Sequence, residues 1–343
     1  MKLKFVFSAL IIFSIVSLKT FANTKNDEQK SAVSFDNSFT CKVYLNIPLA
    51  PIYIYNGLER SDPNYKEIDY QDNGPVNLGI DISYKDYGFA FSKKIINTND
   101  EKICGNSDVY DFLIYQYERK YGIDLIYQHR QGLFIINPED FGYKEGDPQT
   151  IRPDIEKKIL SFNFFYATSD DYSFKAAFKQ LEKQNKWDWS PMVMFSLNFA
   201  KISSDYSIIP PVVDKPQFFG DDTGYRGGRY YSAAIMPGIG ITIPFYNFYL
   251  TSAMFVGVGI TKCDEEMALK KENQLINGVL FNFKGSIGYN GDLFFCGSTF
   301  NFHSFFTDKG DTESTSYDYN ASNTKLEISS DTFYFEIFIG YRI

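Results

Sequence analysis

Two histidines, His129 and His303, are all that the chain of 343 residues offers, and histidine supplies most proton-transfer and nitrogen-ligand chemistry near neutral pH. A lipid hydrolase built on a membrane barrel would carry a His and a Ser on one strand face. Here Gln131 stands two positions beyond His129, and Ser304 adjoins His303, which in a strand turns the two side chains to opposite faces. Neither histidine yields a catalytic residue, and both are expected to be interior or interface groups held by hydrogen bonds. Gly238-Ile239-Gly240 and Gly257-Val258-Gly259 resemble nucleotide loops, but each lies inside a two-residue period with no helix pattern after it. Strand glycines are the simpler reading. The four cysteines, Cys41, Cys104, Cys263 and Cys296, show no C-x-x-C spacing and have too few histidines for a zinc site. No metal ligand set and no cofactor follow. Asp308, Asp311, Glu313 and Asp318 make one segment acidic, as a surface divalent-ion site would be, and Arg226 and Arg229 lie in a glycine-rich stretch suited to an anionic lipid headgroup. Both are read first as solvated loops.

The elements that carry these residues are strands. Phe333, Phe335, Ile337, Ile339, Tyr341 and Ile343 are apolar at every second position, interleaved with Tyr334, Glu336, Phe338, Gly340 and Arg342. Period two means a strand with two different faces. The alternation recurs at Leu78, Ile80, Ile82 and Tyr84, at Val193, Phe195, Leu197 and Phe199, and at Val279, Phe281, Phe283 and Ile287. Several runs reach the roughly 9–11 residues that a tilted strand needs to cross a bilayer. Tyr84, Tyr87, Tyr246, Tyr249, Tyr289 and Tyr341 fall near strand ends, as an aromatic girdle would. Strands are predicted at 77–84, 88–95, 109–118, 122–137, 157–167, 171–183, 189–202, 231–244, 247–260, 277–290, 292–306 and 332–343, which makes 12. The class is an all-β, antiparallel transmembrane barrel of about 12 strands, within a range of roughly 10–14.

In the C-terminal half the connections alternate short and long, with long polar loops at 203–230, 261–276 and 307–331. In the N-terminal half the long connections 96–108 and 138–156 break this parity and would face the periplasm. Residues 23–76 hold one candidate strand, Cys41 to Ile47, but Pro48, Pro51 and Pro63 argue against regular pairing. The stretch is read as a periplasmic N-terminal segment, a lead or plug, and 77–343 as the barrel. On that topology Cys41 and Cys104 share the periplasmic side and form the expected disulfide. The polar residues that alternate with the lipid face, Asp81, Asp124, Gln128, Asn163, Lys175, Lys179, Asn282, Lys284, Glu336 and Arg342, are candidates to line the lumen.

The address agrees with this class. Lys2 and Lys4 precede an apolar run of 14 residues, Phe5 to Leu18, followed by Thr20-Phe21-Ala22, which reads as a cleaved signal peptide over 1–22. The run is too short for a spanning helix, and the mean hydropathy of −0.26 excludes a helical membrane protein without excluding a membrane β-barrel. Aromatic residues make up 18% of the chain, as suits strands. The formal charge of −8 argues against a nucleic-acid partner.

Three stretches resemble a family of uncharacterised bacterial outer-membrane barrels, the domain of unknown function numbered 4421. They are Leu78-Gly79-Ile80-Asp81-Ile82-Ser83-Tyr84-Lys85 with Gly88-Phe89, then Asp124-Leu125-Ile126-Tyr127-Gln128 with Gly132-Leu133-Phe134, and Tyr172-Ser173-Phe174-Lys175-Ala176-Ala177-Phe178 with Gln180, Glu182, Lys183, Gln184 and Lys186. Trp187-Asp188-Trp189-Ser190-Pro191 stands where the family pattern has a small-residue run. The resemblance implies a barrel in the bacterial outer membrane after secretion, in contact with membrane lipid, and supplies no catalytic residues. The leading functional expectation is a passive pore for small polar solutes. The alternative is a closed barrel with a structural or surface-interaction role through its long loops, and a barrel lipid hydrolase is the third reading.

Overall fold

The computed structural model describes residues 31–35, 39–58, 60–267, 271–304 and 326–343. The signal-peptide expectation and the acidic group Asp308, Asp311, Glu313 and Asp318 lie outside the described residues. The strands are β1 (Ala32–Ser34), β2 (Phe39–Leu49), β3 (Ile52–Tyr55), β4 (Glu67–Gln71), β5 (Pro75–Tyr84), β6 (Tyr87–Asn97), β7 (Asp108–Tyr117) and β8 (Tyr121–Ile135). They continue as β9 (Ile151–Ala167), β10 (Glu182–Gln184), β11 (Asp188–Ser203), β12 (Gly227–Phe245), β13 (Phe248–Glu266), β14 (Lys271–Asn290), β15 (Phe294–Ser304) and β16 (Glu327–Arg342).

Twelve strands form a closed antiparallel ring in the order β2-β5-β6-β7-β8-β9-β11-β12-β13-β14-β15-β16, with β16 returning to β2. Closure follows from the alternation of the sequence. With one face of every strand apolar, an open sheet would leave its edges unpaired, and in hydrocarbon an unpaired backbone group costs several kcal/mol. The outward set is the apolar one: Val258, Val279 and Ile337 are 64%, 68% and 58% exposed, which in water would be a large unpartnered patch. Tyr84, Tyr87, Tyr246 and Tyr341 are exposed beside the ends of this belt. The chain is an outer-membrane β-barrel, with short turns and the one long connection 168–187 at the periplasmic end and its other long connections outside; the loop expected at 261–276 is instead mostly wall, since β13 runs to Glu266 and β14 starts at Lys271.

The strand total matches the expectation, but two assignments behind it change. Residues 39–49 are wall, pairing with β16 on one side and β5 on the other, so the N-terminal segment is not wholly a periplasmic lead or plug. Residues 171–183 are not a wall strand; they belong to the connection between β9 and β11. Adding a strand before β5 and removing the one at 171–183 reverses the side of every connection between them, so 98–107 and 136–150 join the long extracellular loops and the parity break disappears. Pro48 and Pro51 are tolerated because β2 stops pairing with β5 at Asn46, and pairing resumes only at Ile52 with Tyr70. No ladder bond on that side is lost to a missing N–H.

That gap is where the sheet forks. β3 and β4 carry the sheet upward from β16 to β8, over the ends of β6 and β7. At the fork Asn73 donates its amide N–H to Ser107 Oγ at 2.8 Å and its side chain to the Gly105 carbonyl, while Ser107 Oγ donates to the Gly132 carbonyl at 2.6 Å. Gly132 has φ +81°, and a Cβ there would lie 2.2 Å from the Asn106 carbonyl oxygen. Lower in the barrel, Tyr44, Tyr115 and Phe295 lie directly across from Gly79, Gly88 and Gly340, with their rings over the glycines. Such ring-over-glycine pairs let a wall curve sharply while staying covered.

The cysteines do not pair; all four are free. Cys41 stands opposite Ile82 near the periplasmic ends, whereas Cys104 closes the short helix Glu101–Cys104 in the extracellular loop after β6. Seven residues along β5 separate the two levels, roughly 24 Å at ~3.4 Å per residue and beyond the ~7 Å reach of a bridge. A non-reducing peptide map of the folded chain is expected to return four free thiols, and a Cys41–Cys104 peptide would contradict this topology. Gly132→Ala should lower the unfolding free energy, read from a urea titration, by about 1–3 kcal/mol, because the left-handed backbone and the Asn106 carbonyl both resist a Cβ; an unchanged midpoint would remove the fork from the stabilising features.

Candidate functional site

The interior is the surface that function would use, and it divides into three levels. At the periplasmic end the connection 168–187 folds inward. Its sole regular turn, Lys175–Lys179, has π-helical geometry, and β10 pairs with β1. Tyr172, Phe174 and Ala177 are buried against Phe165, Met194, Met236 and Phe255 of the wall, with ring centroids 6.1 Å apart for Phe174 and Phe165. Arg342 anchors this plug: its guanidinium donates to the carbonyls of Gln180 and Gly291 and to Asn290 Oδ1, sandwiched between the rings of Phe35 and Phe295 at 4.0 and 4.5 Å. Arg119 Nε donates to Glu182 at 3.1 Å, and Ser173 Oγ donates to the same carboxylate at 2.8 Å.

At the extracellular end the connection 204–226 also folds inward. Ile208, Ile209, Val213, Phe219 and Tyr225 are buried with Ile52, Ile68, Tyr70, Ile155 and Ile328 in one apolar cluster. Tyr70 donates to the Ile208 carbonyl at 2.6 Å, and Arg152 donates to the Ser207 carbonyl at 2.9 Å while lying 4.0 Å over the Tyr206 ring. The cap is a small hydrophobic core held inside the barrel mouth.

Between plug and cap the interior is polar, and its charged groups meet opposite charges or hydrogen-bonding groups. Lys42 meets Glu336 at 3.0 Å and Asp81 at 3.3 Å; Lys179 meets Asp81 at 3.5 Å; Tyr115 donates to Asp81 at 2.7 Å. Lys284 meets Asp124 at 2.7 Å, with Tyr117 donating to that carboxylate at 3.1 Å. Arg130 meets Asp111 at 2.7 Å and donates to the Tyr334 hydroxyl at 3.0 Å. Lys157 donates to the Ala50 carbonyl at 3.1 Å and to Ser330 Oγ. Burial of charge is tolerated only with such partners.

The sequence-derived interior candidates divide accordingly. Asp81, Asp124, Gln128, Asn163, Asn282, Lys284 and Glu336 stand on wall strands with buried or half-buried side chains. Asn163 Oδ1 accepts from Ser196 Oγ at 2.7 Å, and Asn282 lies 2.6 Å from His303 Nδ1. Lys175 and Lys179 are on the plug rather than on a strand, with Lys175 bonded to Asp86 and to Glu118 at 3.4 Å. Arg342 is a plug anchor. Tyr249, expected in the girdle, is buried and shares a hydrogen bond with Ser286 at 3.0 Å. His129 lies on the other side of the wall, its ring stacked 4.5 Å from Tyr110, so the two histidines do not meet. Ser304 Oγ is engaged by the Phe281 backbone at 2.8 Å.

Sequence reasoning missed Lys42, Arg130 and Lys157. Arg130 continues the inward period of Asp124 and Gln128 and was legible there, whereas Lys42 was hidden because its segment was not read as wall. Among the described residues no group of three or more His, Cys, Asp or Glu is placed to hold a metal. Asp124→Ala should destabilise the folded barrel by about 3–5 kcal/mol by leaving the Lys284 ammonium buried without its partner; a urea midpoint equal to that of the unmodified chain would contradict the pairing.

No curated protein matches the chain. Among solved structures it is similar to the outer membrane protease OmpT from Escherichia coli, at 10% identity and a TM-score of 0.40, over 92% of this chain and 99% of that one. It is also similar to an outer membrane channel from Pseudomonas putida F1, at 9% identity and a TM-score of 0.36, over 93% and 100% of the two chains. The model of the domain of unknown function DUF4421 matches residues 32–342, and the chain belongs to that family.

Proposed function

We propose that the protein is a non-conducting outer-membrane barrel with a structural or surface-interaction role, presented through its extracellular cap and long loops. The observation that carries this reading is the Lys284–Asp124 contact. β14 and β8 stand five strands apart in a ring of twelve, close to opposite walls, yet their side chains touch at 2.7 Å. Tyr334 of β16 and Arg130 of β8, also five strands apart, meet at 3.0 Å. A wet conduit keeps such groups separated by water and uses them to select ions; direct pairs spanning the lumen favour a filled interior. The plug and the cap add two more layers across the same path.

The pore expectation therefore yields to its alternative, since passage would require the plug to leave and the central pairs to part. No catalytic role is proposed: His303 is engaged with Asn282, and His129 faces away from the interior.

The test is single-channel recording on the detergent-folded full chain, with folding verified by its heat-dependent gel shift. Silence is expected. A variant with residues 169–186 replaced by a short Gly-Ser turn, verified as folded in the same way, should stay silent as well, because the cap and the central pairs still cross the lumen. Openings from the unmodified chain, with ion preference altered by Lys284→Gln, would overturn the closed-barrel reading and restore the pore.

A further inference from the structure

The outward face of β9, β11, β12 and β13 carries a row of positive charge immediately outside the apolar belt. In register, Lys158 of β9 stands directly opposite Lys201 of β11, and Lys201 directly opposite Arg229 of β12. The burial alternation places all three outward, between the inward residues Lys157 and Ile159, Ala200 and Ile202, and Gly228 and Tyr230. Lys262 of β13 lies one pair lower, opposite Tyr231. Like charges directly across a ladder repel and destabilise it, so a run of three calls for counter-charges.

The wall provides only some of them. Glu156 pairs with Lys158 at 2.7 Å, and Asp264, the register partner of Arg229, is drawn to Lys262 at 3.1 Å. His129, next in the row opposite Lys158, lies 3.7 Å from the same Glu156. Among the described residues, neither Lys201 nor Arg229 has a carboxylate within ion-pair distance. Directly below, toward the membrane centre, the same strands present Leu160, Phe199 and Tyr231 in register, and below them Phe162, Leu197 and Ala233. Phe199 and Tyr231 form a ring pair with centroids 5.1 Å apart. Cations at headgroup level over an aromatic and aliphatic strip make an amphiphile site, with phosphate above and acyl chains below.

We propose that this face binds a diphosphorylated, acylated disaccharide of the lipid A class from the outer leaflet, with one phosphate on the Lys201–Arg229 pair. From the midpoint of the Lys201–Arg229 pair, Lys262 lies one and a half strand spacings across and two residues lower, about 10 Å at ~4.8 Å per strand and ~3.4 Å per residue, and it receives the second phosphate. That spread suits two phosphates separated by a disaccharide better than the single phosphodiester of a glycerophospholipid. The proposal rests on the membrane orientation of the barrel and not on whether it conducts.

Native mass spectrometry of the detergent-folded full chain tests it. Diphosphoryl lipid A, its dephosphorylated disaccharide and phosphatidylglycerol would each be titrated against the unmodified chain and K201Q/R229Q. The unmodified chain should retain diphosphoryl lipid A over both other lipids, and the double variant should bind it about 30-fold more weakly, from roughly 1 kcal/mol per cation at a lipid surface. A control variant, K85Q/K120Q in the periplasmic turns, should leave retention unchanged. Both variants must keep the heat-dependent gel shift of the folded barrel. Equal retention by K201Q/R229Q, equal loss in the control, or equal binding of the dephosphorylated lipid or of phosphatidylglycerol would overturn the assignment. Channel openings in the bilayer experiment would sink the closed-barrel reading and leave this result standing.

Discussion

A sheet immersed in hydrocarbon must pair every backbone N–H and C=O within itself, and closing it into a ring is how it does so. Twelve strands then fix a diameter wider than wall side chains alone fill, since about eight suffice for a side-chain-packed interior. The rest of this molecule answers that surplus width. The chain lends its own connections to the lumen, 168–187 from below and 204–226 from above, each with an apolar face against inward wall residues. What remains between them is short enough for Lys, Arg and Tyr side chains to meet across the barrel.

The polar middle and the apolar ends are physically linked. Charges at the centre keep partners because plug and cap restrict water, and in that setting an unpaired ammonium or carboxylate would be costly. Lys179 shows the coupling: it belongs to the plug, yet it meets Asp81 of β5 and lies 3.6 Å over the Tyr115 ring. Arg342 does the same for the C-terminal strand, joining β16, the β14–β15 turn and the plug through one guanidinium. Planar donors in a fixed fork suit such a junction better than an ammonium would. The fork near Asn73 serves the outer half, letting β4 reach β8 directly while the β6–β7 pair ends below it.

The outer surface obeys a separate constraint. Facing lipid it needs no internal partners, so its charges are confined to the interface, and there the extracellular row of Lys158, Lys201 and Arg229 departs from the alternation of opposite charges that a sheet would otherwise favour. The same wall thus carries paired charge inside and unbalanced charge at its rim. The division follows from which solvent each face meets.

The sequence by itself determined the class and the faces. Period two in β5, β11, β14 and β16 separated a lipid side from an interior side, because only a strand repeats every two residues and only a bilayer accepts so continuous an apolar set. It also located most of the interior charges, since Asp81, Asp124, Lys284 and Glu336 fall between outward apolar residues. Only the tertiary structure decided that residues 39–49 are wall and 171–183 are not. Pro48 and Pro51 looked incompatible with a ladder until the fork left them without a strand on the β5 side, and Tyr172 and Phe174 have the same apolarity whether they face lipid or the interior of a plug. Hydropathy records that a residue avoids water. It does not record what replaces the water, and that choice, set by contacts between distant segments, made 171–183 part of a plug rather than of the wall.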